Sequence, residues 1–404
     1  MLINKGTIFG ILILLLPAST LFGGIFSFYD ELFVLLVVIC GVLFNRNNID
    51  RKLLYIFILI LALGFISNIR YPIYPSFRSV LVDAFTLFKP FWVLIFLPGC
   101  FDEKQKRKAY KIFLPLAQVY IITAFLFGIL SQFVDLGMTS GHRYGIKAYY
   151  FLFNNHSGFG ISIIASILIL SASYIRNYIF GFYFILASII LFFTTKGVMY
   201  SFLLVSWVLF SIRSNSFKIK TWHIIFLGTA IAVISSFQIK TYFMDSESAR
   251  MVFIYSSLVL ATEFFPFGTG FATFGGKEAY ENYSVLYERF GFSNIWGLSK
   301  ANGMFAYDNY MAGIIAQVGF IGYLLFLILL WLIFKRINSI TFQNKRLKIT
   351  ILAALFMLYV SSIATGIIKT DNGVFLVSII SVLLPIENKP FPDHIESKKN
   401  NITY

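Results

Sequence analysis

Apolar residues run through this chain in blocks of about 15 to 25, separated by short polar seams. As helices, blocks of that length cross a hydrocarbon core roughly 30 Å thick, and only a helix or a closed barrel satisfies its backbone there. The alternation predicts twelve spans: 7–25, 31–44, 53–69, 79–98, 110–134, 154–174, 178–195, 197–212, 222–239, 307–334, 348–368 and 372–387. The expected fold is therefore all-α, a polytopic transmembrane bundle. One connection, 240–306, is far longer than the rest, and loops of that size in compact proteins are usually functional. This divides the chain into helices one to nine (1–239), a large loop (240–306), helices ten to twelve (307–387) and a polar tail (388–404). Within the loop, "ESARMVFIYSSLVLATEF" has helical spacing with an apolar face and predicts a short interfacial helix.

Composition agrees with this pattern. Of 404 residues, 58% are hydrophobic and only 13% charged, so the chain is an integral membrane protein. The net charge of +15 comes from short basic clusters between apolar blocks, with no continuous basic face for nucleic acid. The dense clusters, "NRNNIDRK", "FDEKQKRKAYK", Lys335/Arg336 and Lys345/Arg346/Lys348, fall on one side. The positive-inside rule makes that side cytoplasmic, with both termini inside and the large loop outside. The first apolar block lacks a small-x-small cleavage site and predicts an uncleaved helix. Cys40 and Cys100 have neither metal nor redox spacing and read as packing residues.

Basic residues on the predicted outer side run against the general bias: Arg70, Arg78, Arg143, Lys196 and Arg250. Each alone has a plain explanation in snorkelling to lipid headgroups. Gathered at one face, such cations make a receptor for a pyrophosphate, to which arginine offers paired donors and lysine a compact charge. Lys196, in "TTKGVMY", has a seam so short that its ammonium must sit at the membrane boundary.

"NNHSGFG" opens the sixth predicted span, and Asn154, Asn155 or Ser157 either caps that helix or, with His156, faces an anion or sugar hydroxyls. His142 has no visible partner. "PFGTGFATFGG" lacks the GxGxxG spacing and the lysine of a phosphate-binding loop, so its glycines predict tight turns where the loop re-enters the bundle. Asp308 opens a long apolar block, where it either caps the helix or acts as a substrate-orienting or catalytic acid. Gly313, Gly319 and Gly322 follow along the same helix and either permit close helix packing or make room for a lipid chain.

From about 140 to 325, the order of these features resembles the bacterial O-antigen polymerase and ligase superfamily, which handles glycans linked to undecaprenyl diphosphate. The resemblance is carried by "HRYGIKAYYFLFNNHSGFG", "TTKGVMY", the arginine followed by "PFGTGFATFG", and the polar pair before "QVGFIG". It implies a GT-C-like bundle in a bacterial cytoplasmic membrane and a repeat-unit polymerase of O-antigen or capsular polysaccharide. Arg143 and Arg250 match the family's outer-loop arginines and are expected to hold diphosphate, with Lys196 and Arg78 beside them. Asp308-Asn309 stands where many members have His-Asn, a departure that argues against a ligase. Asp308 is the expected base, with Glu263, Glu278 or Glu281 as substitutes, and Asn154, Asn155, His156 and Asn309 are the expected glycan contacts. The implied partners are lipid-linked glycans as donor and acceptor, the bilayer, and the pathway's chain-length regulator and flippase. No cofactor is implied, and no His/Asp/Glu cluster has metal-ligand spacing. A ligase would share this chemistry, whereas a flippase would more often show two similar halves, and no internal repeat is found.

Overall fold

The computed structural model describes residues 5–22, 26, 28–44, 49–143, 145–173, 175–211, 248–340, 342 and 344–384. The predicted ninth span, the first part of the large loop and the tail from 385 lie outside them. The described chain is mostly helical. Its elements are α1 (Lys5–Leu14), α2 (Ala18–Phe22), α3 (Tyr29–Phe44), α4 (Arg51–Arg70), α5 (Phe77–Leu87), α6 (Lys89–Cys100), α7 (Glu103–Phe133), β1 (Thr139–Arg143), β2 (Ile146–Tyr149), α8 (His156–Ala172), α9 (Asn177–Phe193) and α10 (Gly197–Ser211). The large loop contributes α11 (Ala249–Glu263), α12 (Lys277–Glu281) and α13 (Val285–Arg289); α14 (Tyr310–Ser339), α15 (Lys345–Ser361) and α16 (Asp371–Leu383) follow.

Three of these helices, α4, α7 and α14, are long and apolar enough to cross a membrane, and a fourth span results if α5 and α6 count as one. The other described spans expected from sequence correspond to shorter or more polar helices. The expected first span is broken into α1 and α2, divided at Pro17, whose ring nitrogen has no hydrogen to donate. The block 79–98 is likewise not one helix: α5 and α6 meet at 64°, with Pro90 in the first turn of α6. The fold is not purely α-helical either, since β1 and β2 pair as an antiparallel hairpin in the loop before α8.

Packing follows apolarity. Almost every residue of α8 is buried, as expected of a helix apolar on all sides, and α7, α9, α15 and α16 surround it. α3 lies on α6, α4 on α14, and α11 also on α14. Two ion arrangements hold this core that the sequence pattern did not single out. Lys89, at the bend between α5 and α6, is buried against Asp30 and lies 2.7 Å from Glu31. Lys106, from one of the dense basic clusters, is buried and donates to the Leu384 carbonyl at 2.6 Å.

The connections between helices gather in two groups. At one end Arg346 donates to the Ser173 carbonyl (3.1 Å) and Arg336 faces Asp50 (3.6 Å). At the other lie the hairpin, the turn between α9 and α10, the glycine-rich run and the start of α14.

Candidate functional site

The glycine-rich run passes between helices. Residues 268–276 are buried without a break, and such irregular backbone is stable inside a bundle only if its polar groups find partners. They do. Ser67 of α4 donates to the Gly268 carbonyl. One residue on, Asn68 binds Phe271 twice, donating to its carbonyl (2.9 Å) and accepting from its N–H (2.8 Å). From α5, Asp83 accepts the Ala272 N–H at 2.9 Å. Gln317 of α14 donates to that same carboxylate (2.9 Å) and to the Phe274 carbonyl (2.5 Å). Lys369, in the turn Ile367–Lys369 before α16, donates to the Gly275 carbonyl at 3.0 Å, and Tyr287 accepts from the Gly275 N–H at 2.9 Å.

Helix α14 makes room for this run. Its backbone leaves the helical region at Gly319 (φ 66°, ψ −175°). The carbonyls of Ala316 and Gln317 accept instead from Thr269 and Gly270, both at 2.9 Å. Gly268 has φ +79°, and a Cβ there would lie 2.4 Å from the Gly319 nitrogen. Two glycines are thus needed where loop and helix backbones meet.

Above this seam stands a group of charges. Arg250 sits in the first turn of α11, which Ser248 caps through the Met251 N–H. Its guanidinium lies 3.0 Å from Asp308 Oδ2 and 4.7 Å from the centre of the Phe305 ring. Asp308 does not cap α14; Asn309 does, accepting the Ala312 N–H at 3.2 Å, which leaves the aspartate for Arg250. Lys196 occupies the turn between α9 and α10, after Thr195 at φ +54°. Arg143, Arg250 and Asp308 all lie within electrostatic range of Lys196. Burial pushes the Lys196 pKa below the ordinary lysine value, the two arginines push it further, and Asp308 opposes them. Lys369 is pushed down to about 8, chiefly by burial, with Asp83 and Asp308 opposing and Lys89 contributing.

Of the residues expected to bind diphosphate, Arg143, Lys196 and Arg250 therefore converge, with Asp308 among them. Arg78 stands exposed at the start of α5, on a face other than that of buried Asp83. Asn155 caps α8 through the Gly158 N–H at 2.5 Å. Asn154 donates to the Thr20 carbonyl (3.1 Å). His156 lies 3.0 Å from the Ser140 hydroxyl, within range of both Lys196 and Arg143. Among the substitute bases, Glu263 pairs with Arg289 (2.7 Å) and Glu281 with Lys277 (3.5 Å). Glu278 lies within electrostatic range of Asp83.

Sequence reasoning missed Asp83, Gln317 and Lys369. The signal was present: each is a polar residue within or between apolar blocks, the criterion that singled out Lys196. Among the described residues, no three His, Cys, Asp or Glu side chains gather as a metal site would require. No family model matches the chain, and no curated protein matches it.

Proposed function

We propose that this protein is a membrane glycosyltransferase that joins lipid-diphosphate-linked saccharide repeat units into a polysaccharide at the outer face of a bacterial cytoplasmic membrane. The observation that supports it best is the convergence of Arg143, Lys196 and Arg250 around Asp308, from four segments each more than fifty residues from the next. Three cations with one carboxylate leave an excess of positive charge facing the end of the bundle opposite the dense basic clusters. By the positive-inside rule that end is extracytoplasmic.

The chemistry fits such a centre. The acceptor hydroxyl attacks the anomeric carbon of the donor sugar, the bond from that carbon to the diphosphate oxygen breaks, and its electron pair leaves with the diphosphate. Positive charge fixed in advance around the departing oxygens lowers the barrier without reorganisation. Arg143 and Arg250 hold the diphosphate, Lys196 adds a compact charge, and Asp308 takes the hydroxyl proton. The twelve-span, GT-C-like bundle, with both termini inside, belongs to this same proposal.

Deletion of the gene tests the reading. Cells left with single-repeat surface glycan support polymerisation. Full-length polymer stranded on its lipid carrier indicates a ligase, and units retained inside the cell indicate a flippase.

A further inference from the structure

Arg250 and Asp308 form an ion pair whose side chains are both partly exposed, that of Arg250 by 13% and that of Asp308 by 31%. A carboxylate and a phosphate present the same feature to a guanidinium, two oxygens spaced for its paired N–H donors. Asp308 thus occupies the seat that a ligand phosphate needs. Lys196 lies within range of both members, and its ammonium has no carboxylate within ion-pair distance among the described residues.

A second cation stands near Asp308. Lys369 lies within electrostatic range of Asp308 and Asp83. Its stem and the Asp308 backbone are neighbours across Gly366, where an added Cβ would lie 3.1 Å from Lys369 Cε and 3.4 Å from the Asp308 carbonyl oxygen. The ammonium carries three hydrogens, and among the described residues its one hydrogen-bond acceptor is the Gly275 carbonyl. It is therefore able to accept a carboxylate without releasing the glycine-rich run.

We infer that Asp308 is a displaceable stand-in for a diphosphate on Arg250, and that Lys369 is the positioning residue that receives its carboxylate when the diphosphate arrives. The inference rests on the diphosphate reading of the site and adds a competition inside it. A diphosphate, carrying several negative charges and meeting Arg143 and Lys196 as well as Arg250, outcompetes one carboxylate. The exchange also brings the carboxylate and the glycine-rich run under one ammonium, so binding at Arg250 is felt along 268–276.

The test is calorimetric titration of the purified full chain in lipid nanodiscs with inorganic pyrophosphate. Removing the competing charge in Asp308→Asn is expected to tighten binding about fivefold, the scale of a partly exposed ion pair. Lys369→Met, which leaves the displaced carboxylate without a receiver, is expected to weaken it by about the same factor. Arg250→Ala is expected to abolish binding, and Lys345→Ala, at the opposite end, to leave it unchanged. Equal or weaker binding by Asp308→Asn overturns the stand-in role while leaving the diphosphate site intact. Wild-type affinity in Lys369→Met overturns the role of Lys369, and Lys369→Arg, which keeps the charge, reveals whether a loss in the Met variant comes from misfolding. Absence of pyrophosphate binding in every protein overturns both the exchange and the diphosphate reading beneath it.

Discussion

Arg250 and Asp308 stand 58 residues apart in the chain and 3.0 Å apart in space, the arginine in the first turn of one helix and the aspartate just before the first turn of another. The large loop is closed on itself by this contact. α11 and the start of α14 are held as neighbours, and the glycine-rich run passes into the bundle beneath them.

If Arg250 and Arg143 hold a departing diphosphate, their removal should affect turnover far more than folding. Arg250→Ala and Arg143→Ala are each expected to reach the membrane at normal levels and to lower transfer about a hundredfold, the usual effect of losing one fixed donor at a developing charge. Surface glycan separated by gel electrophoresis should then lose its long chains and retain single repeats. Normal chain lengths in both variants would rule out the clamp.

Gly268 offers a test of the seam with α14. An alanine there requires φ +79° and places its Cβ 2.4 Å from the Gly319 nitrogen, so Gly268→Ala is expected to cost about 3 to 5 kcal/mol from strain and overpacking together. Gly141, in the hairpin, has open space around it, and Gly141→Ala serves as the neutral comparison. Thermal unfolding in detergent should place the first variant well below the second.

Asp83 holds the middle of the same run. Asp83→Leu strands the Ala272 N–H and takes from the Gln317 amide one of its two acceptors, an expected loss of about 2 to 5 kcal/mol. Asp83→Asn, which keeps an acceptor oxygen, should cost less. Limited proteolysis within 265–276 distinguishes local release of the run from global unfolding, and equal protection in both variants would remove Asp83 from this role.

The pH dependence of transfer should have an alkaline limb. Lys369 is pushed down to about 8 by burial, against the attraction of Asp83 and Asp308 and together with the repulsion of Lys89. Its ammonium is complete below that pH and is lost as pH rises through it, so activity should fall from about pH 8 upward. Lys369→Arg, charged throughout, should move the fall to higher pH, while Lys196→Arg should leave it in place. A limb unchanged in Lys369→Arg would assign it to another group.

The sequence made the helices legible because apolar blocks bounded by charge leave few alternatives in a membrane. Their breaks were less legible. Pro17 and Pro90 were visible signals, but Gly319 bends α14 only because Gly268 and Gly270 arrive beside it from the loop, a contact that no local pattern encodes. Lys196 and Arg250 stood out as cations where cations are costly. Lys369 and Asp83 met the same criterion, and their partners, Gly275 and Gln317, lie far away in sequence, so nothing nearby marked them as a set. Asp308 illustrates the remaining limit: an aspartate before a helix reads as a cap, and only the three-dimensional arrangement gives that task to Asn309.

The side chains that clasp the glycine-rich run also fix when the site is able to exist. Asn68 and Phe271 are 203 residues apart, and ribosomes add about 5 to 20 residues per second. During synthesis α4 therefore waits roughly 10 to 40 seconds for the segment it binds, with two polar side chains facing an unfilled seam. The first half of the bundle is assembled around a place that only the last third of the chain fills.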